Sequence, residues 1–202
     1  MIKKNTVLVY GGAFNPPSIS HITLAKQLLN FTDAEKLIFL PVGDNYKKRE
    51  LIPAYHRVNM LKITCEDNRR LEVSTIEVDS KKRLYTVETL DIIKKQNKNE
   101  DICFILGTDN LKDIINWKGY ERILTEYKLI VMERGEDTLD KILYDIPVLE
   151  NYKDNLIHIK GLLVNDISSS LIRNNIKQKK AIKHLTAQKI IEYINKNKLY
   201  EY

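Results

Sequence analysis

Apolar and β-branched residues gather in short runs along this chain, and the runs alternate with longer stretches of helical spacing. The first run, T-V-L-V-Y at 6–10, reads as a buried strand. Further strands are predicted at 37–41, 71–78, 102–106, 128–132 and 156–159, of which I-C-F-I-L at 102–106 is the most hydrophobic. Helices are predicted between them, at about 20–30, 53–65, 85–95, 111–115 and 117–124. A charged, irregular connection at 133–155 carries its own helix at 138–144, and helices at 168–176 and 187–195 close the chain. Such alternation predicts an α/β fold, a Rossmann-like parallel sheet with helices on both faces. A small C-terminal helical region follows from about residue 165. Without internal repeats or a low-complexity linker, 1–202 is expected to be one domain.

Composition narrows the class. The 202 residues are 43% hydrophobic and 30% charged, which supplies enough apolar material for a core. No apolar run approaches the ~18 residues that would cross a bilayer. The opening M-I-K-K-N lacks the apolar stretch of a signal peptide. Cys65 and Cys103 stand apart with no C-x-x-C spacing, as expected of reduced, buried thiols rather than a zinc site. These features predict a cytoplasmic protein without a membrane partner. The net charge of +6, from 33 Lys+Arg against 27 Asp+Glu, suits phosphate-bearing partners. Its densest run, K-Q-K-K-A-I-K at 177–183, reads as a solvated helix face, so a small nucleotide is favoured over nucleic acid.

The candidate chemistry sits at two helix starts. After the first strand, Gly11-Gly12 allows φ > 0 or a close backbone approach, and Asn15-Pro16-Pro17 stiffens the next turn. Ser18 or Ser20 can cap the helix that follows, with His21 in its first turn. Free N–H groups and the positive helix end make this a natural anion site. The pattern G-x-G-x-x-G is not met, so a bound dinucleotide cofactor is not favoured. The second start is N-D-I-S-S-S-L-I-R at 165–173. Ser168 caps a helix, Ser169 and Ser170 stand at its positive end, and Arg173 follows about one turn on. Serine with arginine at this spacing suits a polyphosphate. His56, His158 and His184 show no partner pattern and read as structural or surface residues.

Together the two motifs resemble the nucleotidyltransferase superfamily that carries an (H/T)-x-x-H and an I-S-S-(S/T)-x-I-R element. The similarity is strongest to the nicotinate/nicotinamide mononucleotide adenylyltransferases. It extends over nearly the whole chain: G-A-F-N-P at 12–16, P-V-G-D-N-Y-K-K at 41–48, L-I-P-A-Y-H-R-V at 51–58, Y-T-V-E-T-L at 85–90, G-T-D at 107–109 and the C-terminal H-L-T and N-K-L-Y segments. The resemblance implies adenylyl transfer from ATP to nicotinate or nicotinamide mononucleotide, with Mg2+ entering alongside ATP. It makes His21, Ser18 and Arg173 the catalytic group. It puts Gly11, Gly12, Phe14, Ser20, Lys47, Lys48, Gly107, Asp109, Ile167, Ser168 and Ser169 around ATP. Asn15, Tyr85, Thr86, Trp117 and Arg134 are put around the mononucleotide.

Where bacterial members read H-x-G-H this chain reads Ser18-Ile19-Ser20-His21, so the hydroxyl of Ser18 is expected to stand in for the first histidine. Ser20 in place of glycine narrows the room for the triphosphate. A sister transferase, pantetheine-phosphate adenylyltransferase or cytidylyltransferase, shares the two motifs but not Y-T-V-E-T-L or L-I-P-A-Y-H-R. A nucleotide-binding protein with weakened catalysis is the other alternative, and Ser18 and Ser20 are the features in its favour.

Overall fold

The computed structural model describes residues 2–46, 50–133, 135–163 and 167–201. The elements run β1 (Thr6–Gly12), α1 (Ile19–Phe31), β2 (Lys36–Pro41), α2 (Ala54–Cys65), β3 (Leu71–Val73), α3 (Ile76–Asp79), α4 (Thr86–Gln96), β4 (Asp101–Gly107) and α5 (Thr108–Asp113). They continue with α6 (Tyr120–Glu126), β5 (Lys128–Met132), α7 (Leu139–Asp145), β6 (Leu156–Ile157), α8 (Ser169–Lys177) and α9 (Gln188–Lys196). The strands form one parallel sheet in the order β3-β2-β1-β4-β5-β6. The order reverses between β1 and β4, and the crevice beyond their carboxyl ends is where such sheets bind ligands.

Period-two alternation distributes the strand residues between two cores. Val7, Val9, Ile38, Leu40, Phe104 and Val131 face α4 and α6, whose Val87, Leu90, Ile123 and Leu124 fill the layer. Leu8, Tyr10, Leu37, Phe39, Ile105 and Ile130 face the opposite way, onto Leu24, Ala25 and Leu28 of α1 and Leu61 of α2. Burial on both sides explains why these strands read as unbroken apolar runs. A third cluster, with Ile22, Met60, Ile172, Ile190, Ile194 and Leu199, packs α8 and α9 against α1 and α2. The C-terminal helices are thereby fixed beside the crevice. Cys65 is half-buried and Cys103 buried, and burial pushes both thiols up to about 12.

Two sequence expectations are corrected. The strand expected over 71–78 stops at Val73, and 76–79 is a single helical turn. Ser74 and Thr75 compete with the ladder: Thr75 Oγ1 donates to Asp79 Oδ2 at 2.6 Å, and Asp79 N donates to the Thr75 carbonyl. The glycine pair does not end β1. Gly11 and Gly12 stay in the strand opposite Leu40 and Pro41, and neither has a positive φ. They serve close approach instead. A Cβ on Gly11 would lie 3.2 Å from the Phe104 ring, and one on Gly12 would lie 3.0 Å from the Phe14 ring. The left-handed turn falls on Phe14, at φ 47°.

Candidate active site

The crevice is built from β1 outward. Past Gly12 the chain turns at Phe14, whose side chain is buried and meets Tyr10, Phe39 and His21 edge-on at centroid distances of 5.2–5.5 Å. The Phe14 ring is therefore a floor beneath the imidazole. Arg57 lies under the same loop. Its guanidinium is fully buried and donates to the carbonyls of Ile52 and Ala13 and to Asp44 Oδ1, at 3.0–3.2 Å. Burial lowers its pKa and Asp44 opposes that shift, so the group stays charged. The sequence analysis assigned Arg57 nothing. Its signal was there: an arginine three and four residues before Met60 and Leu61, on the apolar face of α2.

At the start of α1, Ser18 caps the helix with extended backbone and is fully buried. Its N–H donates to His21 Nδ1 at 3.0 Å, and its Oγ lies 2.6 Å from the same nitrogen. The His21 N–H returns a bond to Ser18 Oγ at 3.4 Å, closing a capping box in which histidine takes the usual glutamate's place. A nitrogen that accepts from a backbone N–H is the unprotonated one, so the ring proton resides on Nε2. Ser18 is fully buried, and its N–H and its Oγ both tie it to the His21 ring.

The second motif comes alongside through long-range bonds. Ser20 Oγ donates to the Ile167 carbonyl at 2.8 Å, tying the first turn of α1 to the entry of α8. Ser168 caps α8, its Oγ accepting from Leu171 N–H at 3.2 Å. Three consecutive carbonyls of the 15–17 turn are held from the C-terminal region: Asn15 by Arg173 Nη1 at 3.0 Å, Pro16 by Ser169 Oγ at 2.7 Å and Pro17 by Thr186 Oγ1 at 2.6 Å. The side chain of Asn15 is buried and occupied. Its Nδ2 donates to the Glu50 carbonyl, and its Oδ1 accepts from Tyr200 Oη at 3.1 Å and Ile52 N–H at 3.4 Å. Asn15 is thus a clamp between the 15–17 turn, the 50–52 segment and the C-terminal Tyr200. No local pattern encodes these bonds, because their partners lie 35 to 185 residues apart.

Arg173 Nη2 also reaches Ser170 Oγ at 3.2 Å and Glu50 Oε2 at 3.5 Å. Across the crevice, Gly107 ends β4 and precedes α5, with Thr108 buried and Asp109 exposed in the first turn. Two buried side-chain polar atoms have no partner among the described residues, Thr108 Oγ1 in the first turn of α5 and Arg173 Nε in α8. Unsatisfied buried groups are rare in folded proteins, and each calls for a partner from outside the described residues or a functional reason. Thr108 is a residue the sequence analysis passed over within G-T-D. Further along, Tyr85 is exposed at the start of α4, where its N–H donates to Glu88 Oε2 at 2.9 Å, and Thr86 follows half-buried. Trp117 is half-buried against Phe104, its Nε1 donating to Asp113 at 3.3 Å. Lys47, Lys48 and Arg134 lie outside the described residues, as do Asn165 and Asp166.

Among the other histidines, His56 is buried with Nδ1 3.0 Å from Tyr193 Oη and its ring against Tyr55, which bears out a structural role. His158 Nδ1 lies 3.3 Å from Glu133 Oε1.

A six-stranded parallel sheet with an imidazole and a helix N-terminus at its switch point defines a nucleotide-handling α/β protein. The cytidylyltransferase-like family model matches residues 9–175. Probable nicotinate-nucleotide adenylyltransferases of Caldicellulosiruptor bescii and Clostridium tetani are each 35% identical, over 96% and 95% of this chain and 98% and 97% of theirs. Among solved structures, the Plasmodium falciparum nicotinic acid mononucleotide adenylyltransferase complexed with APC superposes with a TM-score of 0.76 at 25% identity, over 98% of each chain. The same enzyme complexed with NaAD gives 0.77 at 24% identity, a likeness of fold. The chain belongs to the cytidylyltransferase-like family, within its nicotinate-nucleotide adenylyltransferases. No helix among the described residues is long and apolar enough to cross a membrane.

Proposed function

We propose that this protein, acting in the cytoplasm as one nucleotidyltransferase domain, transfers the adenylyl group of ATP to nicotinate mononucleotide and releases pyrophosphate. The observation that carries the reading is the Ser18–His21 pair at the switch point, which fixes the imidazole with its proton on Nε2. A phosphate oxygen of the mononucleotide attacks the α-phosphorus in line. The new P–O bond forms as the bond to the bridging oxygen breaks, and pyrophosphate takes the electron pair. The nucleophile is already an anion, so positioning and charge stabilisation are what the protein must supply. His21 donates from Nε2 to the α-phosphate as negative charge gathers there. Ser18 holds the ring. Gly11, Gly12 and Phe14 shape the floor, Ser20 fastens α1 to α8, and the N-terminus of α8 at Ile167, Ser168 and Ser169 receives the triphosphate with Arg173. Lys47 or Lys48 adds charge there.

Gly107 and Asp109 hold the adenosine, and Tyr85, Thr86, Trp117 and Arg134 the pyridine nucleotide. The choice of the acid over the amide follows the names of the bacterial relatives. Mg2+ enters with ATP. No group of three or more His, Cys, Asp or Glu side chains that could hold a metal occurs among the described residues. Mg2+ would therefore be brought in by the triphosphate rather than held in a protein cage, and would supply charge neutralisation beside Arg173 and the start of α8.

Pyrophosphate release from MgATP, with nicotinate and nicotinamide mononucleotides as separate acceptors, tests the reading. Turnover with nicotinate mononucleotide is expected. ATP binding without turnover on either acceptor would overturn it and leave a weakened nucleotide-binding protein.

A further inference from the structure

One turn beyond Arg173 on α8 stands Lys177, a residue that neither the sequence motif nor the proposed reaction uses. Its Nζ donates to Glu50 Oε1 at 2.6 Å, while Glu50 Oε2 lies 3.5 Å from Arg173 Nη2. One carboxylate thus bridges two cations on the same face of the helix. The bridge joins residues 127 positions apart, so it is a tertiary feature and not a local helix pair.

Two observations show that this residue is set in place from outside the helix. The main chain of Glu50 is pinned, its carbonyl accepting from the buried Asn15 Nδ2 at 2.8 Å. Its backbone is held at φ 59°, a left-handed conformation that a non-glycine residue adopts at a cost. Its side chain, by contrast, remains 44% exposed. The carboxylate can therefore swing into water while its backbone stays fixed. Arg173 is not satisfied by the arrangement, since its Nε is buried without an acceptor among the described residues. The Glu50–Arg173 contact at 3.5 Å is also long for a charge-assisted bond.

We propose that Lys177 is a second cation of the triphosphate site and that Glu50 is a built-in stand-in, holding Arg173 and Lys177 until the phosphates of ATP displace it. The inference rests on the adenylyl-transfer reading above. Charge makes the exchange favourable: one carboxylate between two cations leaves a net positive site, and a triphosphate brings several negative charges to it. The Lys177 hydrogen bond and charge, with Arg173 adding, hold the Glu50 carboxyl below the usual carboxylate range, so the competitor is an anion throughout the working pH range. The stand-in keeps two neighbouring cations from repelling each other in the empty enzyme.

Calorimetric titration of the full chain with inorganic tripolyphosphate, ATP and adenosine tests this. Glu50→Gln should tighten tripolyphosphate and ATP by roughly fivefold, the scale of one solvent-exposed ion pair, and leave adenosine unchanged. Lys177→Met should weaken the two phosphate ligands by roughly tenfold, again sparing adenosine. Unchanged adenosine binding in both variants serves as the check that each is folded. If Glu50→Gln leaves tripolyphosphate and ATP unchanged or weaker, while wild-type protein still prefers ATP to adenosine, the stand-in is overturned and the function stands. If Lys177→Met binds tripolyphosphate as wild type does, Lys177 is not part of the site. If wild-type protein binds ATP no better than adenosine, the triphosphate site itself fails, and the inference with it.

Discussion

The starts of α1 and α2 are built to one plan and end with different uses. Each helix follows the carboxyl end of a sheet strand, and each carries a histidine as its third residue, His21 and His56. At α1 the cap is Ser18, three residues from the ring it orients, and the imidazole is directed by its own helix end. At α2 the cap is Pro53, which offers no side-chain bond, and the loop supplies a carboxylate instead: Asp44 Oδ1 accepts from Ala54 N–H at 2.7 Å. The positive end of α2 is thus already answered by an internal anion, and Asp44 also binds Arg57. His56 is packed and its Nδ1 taken by Tyr193, and burial lowers its pKa. A histidine at a helix start thus acquires chemistry from what caps the helix, not from its place in the turn.

The largest expected effect separates the two rings. His21→Ala should lower kcat by roughly 100- to 1,000-fold, the usual loss when one preorganised donor to a developing charge is removed, with ATP affinity changed far less. His56→Ala should leave kcat within a fewfold of wild type and show its loss in thermal stability. Equal kcat losses in the two variants would break the comparison. Next in size, Arg57→Met strands the carbonyls of Ala13 and Ile52 and should cost about 3 kcal/mol in denaturant unfolding. A variant as stable as wild type would show that the α2 start is not the girder described here.

A smaller effect is expected at Gly43. A Cβ there would lie 2.2 Å from the Glu77 carbonyl oxygen, so Gly43→Ala must shift the turn that presents Asp44 to α2. Crowding of this kind costs about 1–3 kcal/mol, read as a lower Tm. The smallest effect is a pH dependence. Burial raises the Glu77 pKa, against the opposing Thr89 hydrogen bond and the Arg83 charge. A raised carboxyl pKa means the folded state holds its proton more tightly than the unfolded chain. The associated stability is complete below the ordinary carboxylate range and is lost as pH rises through the folded value. Glu77→Gln should therefore melt higher than wild type at pH 8, with the gap closing toward pH 4. A gap that widens on acidification would reverse the assignment.

Much of this was legible in the sequence for a physical reason. Strands buried on both faces must be apolar throughout, and 6–10, 102–106 and 128–132 showed it directly. The two helix starts were legible because caps are local: Ser18 and Ser168 each act within three residues. What escaped was non-local. Nothing near Asn15 announces Tyr200 or Glu50 as its partners. Glu50 and Lys177 read as surface charges until the fold set them together. The 71–78 strand failed because Ser74 and Thr75 hold a turn that their alternating neighbours hide.

The proposed chemistry makes Ser18 and His21 one unit, with the buried hydroxyl acting only through the ring. Steady-state pyrophosphate release by Ser18→Ala, His21→Ala and the double variant measures that directly. Ser18→Ala alone should lower kcat about tenfold as the ring loses its orientation, with ATP affinity nearly unchanged. In the His21→Ala background the same change should cost nothing further. Losses that multiply in the double variant would mean that Ser18 meets the substrate itself, and would contradict the site described here.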